Sequence, residues 1–218
     1  MTERILCVSA HGDDETLGCG GTLAKHVEAG DTVMVIILAD GVTSRDSIPQ
    51  NSLQRRQSTV RALRALGVQQ WGFGDWPDQK LDTIPRLALI KDIEVAVGSF
   101  QPSIVYTHWS GDRNIDHRIV SDATMVACRP QPGSSVKRVL MFEAPSSTEW
   151  GKGFEPSYWV DISGTLKTKM AALECYAEEM RPFPHPRSML GVEYLAKVRG
   201  AAVGVESAEA FMVARVIV

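Results

Sequence analysis

The chain has 218 residues, 44% hydrophobic and 22% charged, and its 23 Lys and Arg against 26 Asp and Glu give a formal net charge of −3. This composition excludes disordered, collagen-like and disulfide-scaffold chains, leaves no basic footprint for nucleic acid, and includes no apolar run of the ~20 residues needed to span a membrane. One domain over 1–218 is expected, because a chain this long can bury roughly 70% of its unfolded surface in a single core.

In chain order, residues 4–10 form an apolar run of strand length that ends in a polar cluster and glycines. Residues 22–29 carry a helical pattern stopped by Gly30-Asp31, and 33–39 are apolar on both faces, as buried parallel strands are. Together they read as a βαβ unit. A polar loop over 42–51 follows, then a helix over 52–66 that stops at Gly67, a short strand over 70–74, and a loop over 75–82. A helix over 85–100, a strand over 103–107, a helix over 115–128 and a strand over 136–142 continue the alternation. The last part reads as a short strand over 158–162, a helix over 166–180 with a solvent face, a Pro-rich turn over 181–187, a helix to about 203 and a terminal strand over 211–218. His26 falls on a helix face as a solvated surface residue. The alternation predicts a Rossmann-like α/β fold, a mostly parallel doubly wound sheet flanked by helices, with ligand chemistry outside the carboxyl ends of the strands.

Two loops at that edge concentrate chemistry. His11-Gly12-Asp13-Asp14-Glu15 follows the first strand. Adjacent carboxylates raise one another's pKa unless a cation or hydrogen-bond donors compensate. An acidic triplet alone can serve as a solvated helix cap; His11 in front of it shifts the reading toward a metal held by His11 and one Asp, with a neighbouring Asp free to take a proton. His108-Trp109-Ser110-Gly111-Asp112-Arg113-Asn114-Ile115-Asp116-His117 follows the third clear strand and emerges on the same edge. His117, with His11 and Asp14, can complete a two-histidine, one-carboxylate zinc site with an open position for water. Cysteine is an improbable ligand, since Cys7, Cys19, Cys128 and Cys175 form no C-x-x-C pair; they read as reduced thiols of a cytoplasmic protein. Gly18-Cys19-Gly20-Gly21 with Asp40 suggests a dinucleotide fold and an oxidoreductase, but the spacing is not G-x-G-x-x-G and the acids of 13–15 sit where a pyrophosphate needs positive potential.

These residues resemble the PIG-L/LmbE family of zinc-dependent N-acetylglucosaminyl deacetylases. The block 10–15 matches its A-H-P-D-D-E signature, 107–118 (THWSGDRNIDHR) resembles its second metal motif, and similarity continues through Gly67, Pro77-Asp78, 142–150, 184–188 and 199–211. The resemblance implies removal of the acetyl group from a small N-acetylated amino sugar, with Zn2+ or another divalent transition metal held by His11, Asp14 and His117. It implies Asp13 as general base, Asp116 as an orienting acid and Arg55 in substrate binding. Three positions depart from the pattern: Gly12 for proline, which loosens the loop; Asn114 for a histidine that helps as acid or oxyanion stabiliser; and Ser58 for a glutamate that supports Arg55. Asn114 donates a hydrogen bond but no proton, so His108, His185 or protonated Asp13 is left as the acid. Trp109, Asp112, Arg113, Arg55, Asp78, Glu143 and His185 are candidates for sugar recognition, with Trp109 equally readable as a packed loop anchor. Arg187 reads as a salt bridge or cap. The departures at Asn114 and Ser58 leave a catalytically impaired metal-binding relative as the alternative. A homo-oligomer is compatible with the sequence; nucleic acid and membrane partners are not expected.

Overall fold

Five parallel strands make most of one sheet in this computed structural model, which describes residues 2–44, 52–151 and 153–218. They are β1 (Arg4–Ser9), β2 (Thr32–Ala39), β3 (Gln70–Trp76), β4 (Ile104–His108) and β5 (Arg138–Phe142). Antiparallel β6 (Tyr158–Asp161) and β7 (Ala208–Val216) extend it beyond β5, in the order β3-β2-β1-β4-β5-β7-β6. Residues 45–51 of the loop expected over 42–51 lie outside the described residues.

The continuous apolar runs in β1, β2 and β4 are explained by burial on both faces. Ile5, Cys7, Val35, Ile37 and Tyr106 pack under α1 (Asp14–Glu28), α2 (Ser52–Ala65) and α5 (Leu166–Glu174). Their neighbours Leu6, Val8, Ile36, Leu38 and Val105 pack under α3 (Arg86–Phe100) and α4 (Ile115–Ala127). A last helix, α6 (Met189–Ala201), leans on β7. Strand order reverses between β1 and β4, so a crevice opens at their carboxyl ends, the position where open α/β sheets bind ligands. Both chemistry-bearing loops leave the sheet there. No helix among the described residues is long and apolar enough to cross a membrane. All four cysteines are free, and only Cys175 is not buried.

Several expectations are corrected. The first helix starts at Asp14 rather than residue 22, because the glycine run continues helically across a kink at Cys19 (φ −145°, ψ 18°). The kink exposes backbone N–H groups in mid-helix, and the Glu209 carboxylate of β7 accepts them from Gly21 (3.0 Å) and Thr22 (2.7 Å). Lys169 of α5 is drawn inside by that carboxylate, 2.6 Å away, so α5 has no simple solvent face there; the helix ends at Glu174 instead of 180. The glycines serve close packing: a Cβ on Gly18 would lie 2.2 Å from the Phe142 ring, and one on Gly21 2.8 Å from Ile162. Asp40 caps its own loop by accepting from the Val42 and Thr43 N–H groups. A dinucleotide cradle is therefore filled by protein. His26 is no solvated residue but sits between Asp31 Oδ2 (2.7 Å) and the Tyr106 hydroxyl (3.0 Å). β3 runs on to Trp76, β7 begins at Ala208, and a short 3-10 turn at Leu81–Thr83 interrupts the following loop.

Candidate active site

His11 and Asp14 stand on the turn from β1 into α1, and His117 on the first turn of α4; all three are buried. Asp14 Oδ2 lies 3.2 Å from His11 Nδ1 and 3.2 Å from His117 Nε2, and the three ligand atoms fall within 4.8 Å of one another. Ligands ~2.0–2.1 Å from a tetrahedral ion lie roughly 3.3 Å apart, so the two spacings to Asp14 match edges of such a coordination polyhedron. His117 Nε2 is a buried nitrogen with no hydrogen-bond partner. Such an orphan facing a carboxylate is a lone pair suited to a cation.

The opposite nitrogen of each histidine is held by carboxylates, the arrangement that orients metal-binding imidazoles. His11 Nε2 is 3.1 Å from Asp116 Oδ2 and 3.0 Å from Asp78 Oδ1. Asp116 is fixed in turn by the N–H groups of Gln79 (2.7 Å) and Leu81 (3.1 Å). His117 Nδ1 faces Asp112 Oδ1 at 3.3 Å, and Asp112 accepts from the Thr148 hydroxyl (2.6 Å), the Ser147 hydroxyl (3.0 Å) and the Asn114 N–H (2.8 Å). Burial alone depresses an imidazole pKa, yet Asp116, Asp14 and Asp78 hold His11 well above its ordinary range. Burial likewise opposes protonation of His117, but Asp14 and Asp112 push it up to about 9. The pocket thus carries buried negative charge that a cation relieves, and these residues fit a divalent metal.

Asp13 is outside this cluster and shares its cavity, ≈ 380 Å³ in volume. Two guanidinium groups meet the same Asp13 oxygen, Oδ2: Arg55 Nη2 at 3.3 Å and Arg187 Nη1 at 3.1 Å. Burial raises the Asp13 pKa, with Arg55 and Arg187 opposing and Asp14 and Glu179 adding to the rise. Arg55 Nη1 pairs with Glu179 Oε1 at 2.7 Å. Glu179 therefore provides the support that Ser58 lacks; Ser58 instead accepts from Arg61 on the surface. Glu15, buried beneath the loop, is pushed up to about 7 by burial, with the Tyr176 and Thr16 hydroxyls opposing the rise.

Other sequence candidates separate by place. Arg113, Asn114, Asp78 and Arg55 line the cavity. Asn114 caps α4 by accepting the Asp116 N–H at Oδ1 (2.9 Å), which assigns its NH2 group to the remaining side of the amide. Trp109 is buried against Gly111 and Gly151, where added Cβ atoms would lie 2.3 and 2.6 Å from the indole, and meets Phe154 edge-on. It anchors the loop; the aromatic lining the cavity is Trp150, 63% exposed and missed from sequence. Asp112 is spent on His117 rather than on a ligand. His108 accepts the Ala10 N–H at Nε2 (2.9 Å) and stacks on His117 with centroids 4.0 Å apart. Burial, with His117 next, holds its pKa well below the usual range, and His108 packs beneath the cavity rather than lining it. His185 accepts the Arg187 N–H at Nδ1 (3.1 Å) and shapes the turn that delivers Arg187 to Asp13, outside the cavity lining. Glu143 is committed to Arg199 by two bonds of 2.8 and 2.7 Å. Sequence reasoning had no signal for Glu179 or Tyr176, which reach the site only through packing of the chain after α5.

Gly12 does not loosen the loop. A Cβ there would lie 2.2 Å from Thr59 Oγ1, so the glycine and Thr59 fill one space. Gly12→Ala is expected to destabilise by about 1–3 kcal/mol through overpacking. The double variant Gly12→Ala/Thr59→Ala should recover most of that in thermal melts; equal melting of the two variants would contradict the shared-space account.

An α/β sheet with a buried two-histidine, one-carboxylate cluster at its switch point and an unligated aspartate in the same cavity defines a candidate metallohydrolase centre. A family model described as PIG-L, GlcNAc-PI de-N-acetylase, matches residues 6–128, and the chain belongs to this family. It is 30% identical over 182 residues to the "Uncharacterized deacetylase YaiS" of Escherichia coli K12, covering 78% of this chain and 88% of that protein. It is 29% identical over 196 residues to the 4-oxalmesaconate hydratase of Pseudomonas putida, covering 79% and 72% respectively. The solved N,N'-diacetylchitobiose deacetylase of Pyrococcus horikoshii superimposes with a TM-score of 0.81 at 21% identity, over 98% of this chain and 84% of that one, which shows the fold.

Proposed function

We propose that the chain is a zinc-dependent N-deacetylase that hydrolyses the acetamide of a small N-acetylated amino sugar, releasing acetate and the free amine. The observation that carries the reading is the convergence of His11 Nδ1, Asp14 Oδ2 and His117 Nε2 in one cavity with Asp13, a carboxylate left free of the ligand set. The names of the family and of the Escherichia coli relative support deacetylation. His and Asp donors suit zinc and also other divalent transition metals.

Bound zinc supplies an acidified water and polarises a carbonyl. Asp13 takes the proton of the attacking water at Oδ1, since both arginines meet Oδ2. As the water oxygen bonds to the amide carbon, the NH2 group of Asn114 donates to the carbonyl oxygen and stabilises its growing charge. Asp13 then returns its proton to the nitrogen as the C–N bond breaks, the part that Asn114 cannot play. Trp150 offers the sugar ring an aromatic face at the cavity edge, and Arg113, held by its Nε bond to the Trp150 carbonyl (2.6 Å), offers donors to its hydroxyls.

The test is mass-spectrometric screening of N-acetylated glycosides with the zinc-loaded protein, beside a chelated control and an unsaturated dicarboxylic acid. Loss of one acetyl group in the zinc-loaded reaction alone supports the reading. Water addition to the unsaturated acid, with no acetyl loss from any glycoside, would place the chain with its hydratase relative instead.

A further inference from the structure

The candidate base stands on a strained backbone. Asp13 has φ 145° and ψ −29°, outside the regions that L residues normally occupy. Such a conformation costs of order 1–3 kcal/mol and persists only where its surroundings over-determine it. The Asp13 carbonyl accepts the N–H groups of Thr16 (3.1 Å) and Leu17 (2.8 Å), as any residue at the start of a helix does. Its N–H is held differently: it donates to Glu15 Oε2 at 3.0 Å. That bond fixes the side of the residue that φ rotates.

Glu15 is itself held from two directions. Oε1 accepts the Thr16 hydroxyl at 2.7 Å and the Tyr176 hydroxyl at 2.6 Å, and Glu15, Thr16 and Tyr176 are all buried. Among the described residues no lysine, arginine or histidine pairs with Glu15, so hydrogen bonds alone fix it. Tyr176, in the turn after α5, also carries the Arg55 guanidinium over its ring, 5.5 Å from the centroid. One tyrosine therefore braces both things that aim Asp13: its backbone, through Glu15, and its Arg55 partner.

We propose that Glu15 and Tyr176 are positioning residues, which lock the strained backbone of Asp13 so that Oδ1 points into the cavity while Oδ2 is pinned by Arg55 and Arg187. The catalytic part of this inference rests on the deacetylase reading; the backbone lock does not. Neither residue lines the cavity, so their effect reaches substrate through Asp13 and, for Tyr176, through its Arg55 partner. A merely structural pair would, when weakened, lower stability and metal content without a selective effect on kcat.

The experiment compares Glu15→Leu, Glu15→Gln and Tyr176→Phe with the zinc-loaded wild-type protein by amide hydrogen exchange at Asp13, bound zinc and steady-state kinetics. Leucine removes both acceptors, whereas glutamine keeps one for the Asp13 N–H and can donate to the two hydroxyls. Expected for Glu15→Leu are at least ~10-fold faster exchange at Asp13 and a kcat lower by about 10–100-fold, with KM and zinc content unchanged. Glu15→Gln should regain most of both, and Tyr176→Phe should lower kcat severalfold at constant KM. If Glu15→Leu does not fold, the Tyr176→Phe result decides: wild-type kcat in that variant overturns the proposal. Unchanged Asp13 exchange in a folded Glu15→Leu, or equal losses in the leucine and glutamine variants, also overturns it. Exchange needs no substrate, so the lock stands or falls on it even if the wild-type protein deacetylates nothing.

Discussion

Asp13→Asn is expected to lower kcat by about 10²–10⁴-fold, the usual contribution of a positioned general base, while bound zinc stays at the wild-type level. The amide keeps the shape of the side chain and an oxygen for the guanidinium groups of Arg55 and Arg187, 3.3 and 3.1 Å from the native carboxylate. It cannot accept the proton of water or return one to the departing nitrogen. Asp13 is not among the atoms of the three-residue cluster, so its replacement leaves the donor set intact. The contrast with His117→Ala is informative, because that change removes one of the proposed ligand nitrogens and should lose zinc and activity together. Amine release by Asp13→Asn at the wild-type rate would remove Asp13 from the base role.

Lys169→Met is expected to be strongly destabilising although it lies away from the cavity. Lys169 and Glu209 are 3% and 4% exposed, and their atoms meet at 2.6 Å, with Lys169 Nζ also donating to the Leu17 carbonyl at 2.7 Å. Removing one partner of a buried pair strands the other, which costs about 3–5 kcal/mol and, for a chain of this size, lowers Tm by roughly 10 °C. The cost falls on α1, because the stranded Glu209 carboxylate is the acceptor for Gly21 and Thr22 at its kink. Adding Glu209→Gln should restore part of the lost stability, since the amide oxygen still accepts one of the two N–H groups and no net charge is left buried. Thermal melts of both variants check this; a single variant as stable as wild type would show that the ion pair does not hold the two halves of α1.

The parallel strands were legible because β1, β2 and β4 are apolar on both faces, a pattern with few alternatives at that length. The first half of α1 was not. Its glycines argued against a helix, and only tertiary packing against Phe142 and Ile162, together with a cap from a residue 188 positions away in sequence, makes the helix hold there. The candidate ligands were legible for a local reason: each loop follows a strand whose carboxyl end is the place for chemistry. Residues reaching the site from elsewhere were not. Tyr176 and Glu179 stand in an ordinary polar stretch, and their roles exist only because α5 packs on α1 and α2. Trp109 and Trp150 show the same limit, since nothing in composition tells which tryptophan the loop buries. Asp112 looked like a sugar contact beside Arg113, but its oxygens are used by His117, Ser147 and Thr148.

Every role proposed for the cavity depends on metal-dependent amide hydrolysis at His11, Asp14 and His117. Its most direct test is to strip the protein with a chelator, add zinc back in steps, and follow amine release from an N-acetylated glycoside that the wild-type protein deacetylates. Activity absent in the stripped protein, returning in proportion to zinc and levelling at one ion per chain, with no return in His117→Ala, is the predicted result. Full turnover by the stripped protein, or equal recovery in His117→Ala, would contradict it.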